Sequence, residues 1–135
     1  MNIAIFGSRD IPIEQSKQVF DLIQSKVNLL TADHIVSGGA KGADTIAEII
    51  AKEHSIKTLI FKPDWTKHGK AAGMVRNTDI VKNADMGFAI VNKPLQESKG
   101  TFDSFKKFLK AGKPVFLIDL LRCTIEECTS IPALP

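Results

Sequence analysis

The chain has 135 residues, with 18 Lys and Arg against 15 Asp and Glu for a net charge of +3, and 44% of it is hydrophobic. That is one domain's length with an ordinary core fraction, which excludes intrinsic disorder, a collagen-like repeat and a disulfide scaffold, since only Cys123 and Cys128 are present. No apolar run approaches the roughly 18 residues that cross a bilayer, and Met1-Asn2-Ile3-Ala4-Ile5-Phe6 lacks the basic start and long apolar stretch of a signal peptide, so a cytoplasmic location with no membrane attachment is expected.

In chain order, Ile3-Ala4-Ile5-Phe6 is a short apolar run ended by Gly7-Ser8 and predicts a buried strand. Pro12 opens a helix with Val19, Phe20, Ile23 and Val27 on one face. His34-Ile35-Val36-Ser37 is a second strand, ended by Gly38-Gly39. A helix from about Ala43 follows, with Ile46, Ala47, Ile50 and Ala51 at helical spacing. Thr58-Leu59-Ile60-Phe61 is a third strand, and Pro63 stops it. A long loop leads to a third helix carrying Val75, Ile80 and Ala84. Met86-Gly87-Phe88-Ala89-Ile90-Val91 is a fourth strand, and 92–99 a polar loop. Gly100-Thr101 opens a fourth helix with Phe102, Phe105, Phe108 and Leu109 on its buried side, and Gly112 ends it. Pro114-Val115-Phe116-Leu117-Ile118 is a fifth strand. Past Arg122 the pattern breaks down, and Ile131-Pro132-Ala133-Leu134-Pro135 has no period.

This strict alternation of apolar strands and amphipathic helices predicts an α/β fold: five parallel strands with helices on both faces. Right-handed crossovers leave few doubly wound orders, and 3-2-1-4-5 puts strands one and four at the switch point. The expected organisation is one domain over 1–122 and a tail over 123–135. Ligands of such sheets bind above the carboxyl ends of the strands, so the loops after strands one, two and four are the ones that matter.

Those loops are Gly7-Ser8-Arg9-Asp10, Ser37-Gly38-Gly39-Ala40-Lys41-Gly42-Ala43-Asp44 and Ser98-Lys99-Gly100-Thr101. Each has glycine at or next to a helix start, where a phosphate can approach backbone N–H groups and the positive end of the helix dipole. Ser8, Ser37, Ser98 and Thr101 add hydroxyls; Arg9, Lys41 and Lys99 add charge. Glycine after one strand is more often only a tight turn. Three such loops converging on one edge favour an anion site. The long loop adds Trp65, Lys67, His68 and Lys70, and the helix after it presents Arg76-Asn77. Arg76 can grip a phosphate or carboxylate with two parallel hydrogen bonds. Trp65 can stack on a base or simply cover the sheet edge. His68 reads as an ordinary loop histidine.

No loop fits G-x-x-x-x-G-K-[ST] or G-x-G-x-x-G, which excludes the P-loop and the ordinary dinucleotide fingerprint. Cys123-x4-Cys128 lacks a second ligand pair, so no metal is expected, and no resident cofactor either. The eight Phe fall in apolar or helical patterns, and with a mild positive charge this disfavours a surface that stacks single-stranded nucleic acid.

Taken together, Gly7-Ser8-Arg9-Asp10, Val36-Ser37-Gly38-Gly39-Ala40-Lys41-Gly42-Ala43-Asp44, Asp64-Trp65 with His68-Gly69-Lys70-Ala71-Ala72-Gly73 and Arg76-Asn77, Ala84-Asp85, Lys99-Gly100-Thr101 with Asp103-Ser104, and Gly112-Lys113-Pro114-Val115 resemble the YspA-type branch of the SLOG superfamily, which groups the Smf/DprA and LOG proteins. The resemblance runs from Met1 to about Ile118. It implies a Rossmann-like domain that binds nucleotides or their derivatives. LOG relatives split the base from a nucleoside 5′-monophosphate, with the signature Pro-Gly-Gly-x-Gly-Thr-x-x-Glu and an Arg on the preceding helix. Arg76 matches that Arg and Gly100-Thr101 the Gly-Thr. The Pro-Gly-Gly is missing, and the Glu position falls on Ser104, with Asp103 one residue earlier. DprA relatives bind single-stranded DNA, and residues 37–44 are similar to their strand-two loop.

The sequence is therefore expected to bind a small nucleoside phosphate, ADP-ribose or NAD-like molecule, as a sensor. The expected ligand-binding residues are Gly7, Ser8, Arg9, Ser37, Gly38, Gly39, Lys41, Gly42, Asp44, Trp65, Arg76, Asn77, Lys99, Gly100 and Thr101. The alternatives are an N-glycosidic hydrolase with Asp103 and Arg76 as catalytic candidates, and DprA-like binding of single-stranded DNA. A homo-oligomer is expected, with the apolar tail as its contact.

Overall fold

Strand β1 (Asn2–Gly7) sends Ile3 and Ile5 to one face of its sheet and Ala4 and Phe6 to the other, the period of two that a strand imposes. All four are buried. The computed structural model describes residues 1–133 and continues this division through β2 (His34–Ser37), β4 (Met86–Val91) and β5 (Val115–Asp119). On the first face Ile35, Phe88, Ile90, Phe116 and Ile118 pack under α1 (Ser16–Gln24) and α2 (Ala43–Glu53). On the second, Val36, Ala89 and Val91 pack under α4 (Ala72–Asn83) and α5 (Lys99–Lys110). Strands covered on both faces read as unbroken apolar runs, which is why these were legible as strands.

With β3 (Lys57–Ile60) and β6 (Thr124–Cys128) the sheet order is β3-β2-β1-β4-β5-β6. The first five strands are parallel, in the expected 3-2-1-4-5 order. The expectation of five strands is corrected to six, because β6 lies antiparallel against β5. Its sequence, Thr124-Ile125-Glu126-Glu127-Cys128, hides it: only Ile125 and Cys128 are partly buried, and they are three residues apart. Paired carboxylates on an edge strand discourage further pairing, and they also erase the alternation that marks a strand. Of the tail, Leu134 and Pro135 lie outside the described residues.

Two further details differ from expectation. The opposite edge strand β3 is mostly exposed, not covered on both faces. The long loop before α4 contains a short helix, α3 (Trp65–His68), capped by the Asp64 carboxylate, which accepts from Lys67 N at 3.0 Å. The helix ends follow ordinary chemistry. Gly112, at φ +70°, follows α5; its N–H donates to the Leu109 carbonyl at 3.1 Å and that of Lys113 to the Phe108 carbonyl at 3.1 Å. This is the paired C-terminal cap that glycine permits. Phe108 stacks on Phe6 at 5.6 Å between ring centroids, fixing α5 to β1; such a pair adds about 0.5–1.5 kcal/mol beyond burial.

Candidate functional site

Because β1 lies between β2 and β4, the loops leaving their carboxyl ends meet at one edge of the sheet. Glycine 7 sits where β1 runs closest to its neighbours. A Cβ there would fall on the Ile90 carbonyl oxygen and lie 2.9 Å from the Ala43 Cβ. Ser8 N donates to the Ile90 carbonyl at 3.1 Å, and Ala43 N donates to the Ser8 carbonyl at 3.1 Å. The first loop is thus clamped between β4 and the start of α2. Gly42, at φ +68°, opens α2 against the same loop.

The second loop carries the charged pair of the site. Asp44, in the first turn of α2, is 6% exposed, and its Oδ2 accepts from Ala40 N at 3.1 Å. Burial pushes its carboxyl above the ordinary carboxylate value, opposed by the Ala40 N–H and by the charge of Arg76. Arg76 reaches across from α4, and its Nη1 donates to the Gly38 carbonyl at 2.7 Å. Burial pulls its guanidinium below the usual value, opposed by Asp44. The two do not form a direct ion pair.

Asn77 joins this pair to the third loop. It is 6% exposed; its Oδ1 accepts from Arg76 Nε at 2.9 Å and its Nδ2 donates to the Gly100 carbonyl at 3.3 Å. Nδ2 also donates to Asp103 Oδ2 at 3.1 Å, which receives Lys107 Nζ at 2.7 Å as well. The same Lys107 ammonium donates to the Met74 carbonyl at 2.8 Å. Asp103 therefore stitches α4 to α5 and is not among the residues facing the cavity described next. At the start of α5, Ser98 Oγ donates to Thr101 Oγ1 at 2.7 Å, and Ser8 Oγ donates to Ser98 Oγ at 3.3 Å. A Cβ on Gly100 would meet nothing within 4 Å, so the backbone there is open to an approaching group.

The three loops enclose a cavity of about 380 Å³. It is lined by the apolar Phe6 and Ile80, by Gly7, Ala40 and Ser104, by Arg9, Asp44, Arg76 and Asn77, and by Lys93, Glu97 and residues 98–101. A second, more open cleft of about 600 Å³ continues past Arg9, Ala40 and Arg76, which belong to both. It is bounded by Gly38, Gly39, Lys41, Lys62, Pro63 and Trp65.

Of the residues expected to bind, Gly7, Arg9, Asp44, Arg76, Asn77, Lys99, Gly100 and Thr101 come together around the cavity. Gly38, Gly39, Lys41 and Trp65 line the cleft beside it. Ser8, Ser37 and Gly42 border neither; they hold the loops in shape, and Ser37 Oγ does so by accepting from Gly39 N at 3.4 Å. Sequence reasoning missed Lys93, Glu97 and Ser104 in the cavity and Lys62 in the cleft. The signal for Lys93 was its place two residues after β4; Ser104 stands one helical turn after Gly100-Thr101.

A family model described as YspA, cpYpsA-related SLOG family matches residues 1–68, half of the chain. The chain belongs to that SLOG family. The matched stretch holds the first two loops of the site, whereas Arg76 and Gly100-Thr101 lie beyond it. The Gene 61 protein of Mycobacterium phage D29 is 38% identical over 87 residues, covering 60% of this chain and 67% of that protein. The X-ray structure of DNA processing protein A (DprA) from Streptococcus pneumoniae superimposes with a TM-score of 0.70 over 90% of this chain, at 22% identity. That likeness is one of fold. The SLOG chain spans about half of the DprA chain, 52% of it. No helix among the described residues is long and apolar enough to cross a membrane.

Proposed function

We propose that this SLOG protein binds a small nucleoside phosphate in the cavity between the three loops. The observation that carries this is the pairing of the open α5 start at Gly100 with the half-buried Arg76 guanidinium across one cavity. An anion there meets the unpaired N–H groups of the first turn of α5 and the positive end of its dipole. Arg9, Lys93 and Lys99 add charge around it. Asp44 supplies an acceptor at the same wall, a group that reads ribose hydroxyls, while Asn77 holds Arg76 and the start of α5 in place. Exposed Leu121 and Ile131, at 73% and 47%, support a homo-oligomer held through that end of the chain.

The test is calorimetric titration with AMP, ADP-ribose and NAD, with adenosine as the phosphate-free control. Binding of at least one phosphate compound and none of adenosine is the expected result. Equal binding of adenosine, or no binding of any, contradicts it.

A second reading, N-glycosidic hydrolysis, is favoured by one observation: Asp44 is a buried carboxyl on the cavity wall, shifted toward the protonated form that a general acid needs. Asp103 is engaged by Asn77 and Lys107 instead. Release of free base from AMP by the protein, abolished in Asp44→Asn and retained in Asp103→Asn, would establish that reading. Release lost only in Asp103→Asn would reverse the assignment.

A further inference from the structure

We propose that the natural ligand has two nucleoside units joined through phosphate, one lodged in the cavity and the other in the adjoining cleft with its base on Trp65. This rests on the nucleotide-binding reading above and extends it from one site to two.

The two spaces differ in chemistry. The cavity mixes signs, with Asp44 and Glu97 among its cations and with the Asn77 amide. The cleft holds Arg9, Lys41, Lys62 and Arg76 and no carboxylate. A ligand confined to the cavity leaves those lysines unused. The waist between the spaces is formed by Arg9 and Arg76, the only cations common to both. Nη1 and Nε of Arg76 are taken by Gly38 and Asn77, which leaves Nη2 without a hydrogen-bond partner among the described residues. A guanidinium held by two anchors and open at its third nitrogen is placed to meet a phosphate passing through the waist.

The cleft is also lined by Trp65, 56% exposed at the start of α3. Its ring edge lies 4.0 Å from where a Cβ on Gly73 would be, so it rests beside the first turn of α4. Gly73 precedes Arg76 by three residues and shares its helix face, about 4.5 Å along the axis. The indole therefore lies about one turn along α4 from the backbone of Arg76. A single exposed aromatic residue needs no explanation on its own. One beside four cations in a cleft continuous with a nucleotide-sized cavity has the makeup of a base-stacking platform with a phosphate track.

Trp65 is the only Trp and the chain has no Tyr, so intrinsic emission reports on this cleft alone. The protein is titrated with AMP, with the 5′-phosphorylated diadenylate pApA and with a dodecathymidylate, by fluorescence and by calorimetry. pApA is expected to quench Trp65 and to bind about tenfold to a hundredfold more tightly than AMP, the worth of one base on an aromatic ring. Trp65→Ala is expected to bring pApA down to the affinity of AMP, while Trp65→Phe keeps most of the difference. Equal affinity for AMP and pApA, with AMP bound, overturns the inference and leaves the one-site reading standing. Binding of the dodecathymidylate far more tightly than pApA, falling steeply with salt, overturns it in favour of a nucleic-acid strand. Failure of every compound to bind overturns both the inference and the reading beneath it.

Discussion

The Arg76 guanidinium occupies the space that a side chain on Gly38 would fill. Nη1 donates to the Gly38 carbonyl at 2.7 Å, and a Cβ on residue 38 would fall on the guanidinium and stand 3.0 Å from Asp44 Oδ2. The glycine after β2 thus serves to seat an arginine arriving from α4, 38 residues later. Gly38→Ala is expected to push Arg76 aside at little loss of stability, because the displaced atoms end a flexible side chain. AMP affinity should fall about tenfold, the loss of roughly one charged hydrogen bond. Gly7→Ala meets backbone instead, at the Ile90 carbonyl. It should destabilise the fold by about 1–3 kcal/mol. Urea unfolding and calorimetry of the two variants separate the effects.

Arg76→Ala should weaken AMP binding by about 1.5–3 kcal/mol if the guanidinium meets the phosphate. Arg76→Lys should recover only part of this, because an ammonium cannot reproduce a planar fork anchored at both Gly38 and Asn77. Titration calorimetry on the three proteins checks it, and equal affinities would remove Arg76 from the site.

Burial raises the Asp44 carboxyl above its unfolded value. The folded state therefore binds this proton more readily than the unfolded chain does. The stability the group lends is full below the unfolded value and is lost as pH rises through the folded one. At neutral pH the buried charge is a net liability. Asp44→Asn keeps the acceptor for Ala40 N–H and removes the charge. Its Tm should exceed that of the natural protein at pH 7, with the gap closing toward pH 4. Thermal melts across that range measure it, and a lower Tm at pH 7 would contradict the account.

The edge strand β6 has its own probe. Burial pushes the Cys128 thiol up to about 11, and Glu126 adds to the shift, whereas Cys123 is exposed at the turn before the strand. Iodoacetamide at pH 8 should alkylate Cys123 well before Cys128 in the folded protein, and both at similar rates in urea. Mass spectrometry of peptides reads the order; equal rates in the folded state would mean that β6 is not docked.

The parts of the fold visible in the sequence are those whose residues answer to local rules. Ile3 to Phe6 and Met86 to Val91 are buried on both faces, so their apolar runs betray them. Gly112 marks a helix end through its own backbone. Strand β6 stayed hidden because an edge strand needs few apolar residues. In the site, Gly38, Arg76 and Gly100 were legible as residue types suited to an anion. Their division of labour was not. Whether a glycine faces open space, as at Gly100, or makes room for the protein itself, as at Gly7 and Gly38, depends on what arrives from distant parts of the chain. The engagement of Asp103 by Asn77 and Lys107 is likewise a product of α4 packing on α5.

The central claim, a nucleoside phosphate held between the start of α5 and Arg76, is tested most directly by following backbone amides and the Arg76 Nε–H by NMR while AMP is added. The account predicts saturable shifts concentrated at Arg9, Gly100, Thr101 and the Arg76 side chain, which Arg76→Ala weakens at the amides that remain. Saturable shifts that leave Gly100, Thr101 and Arg76 unmoved, or no shifts at millimolar AMP, would contradict it.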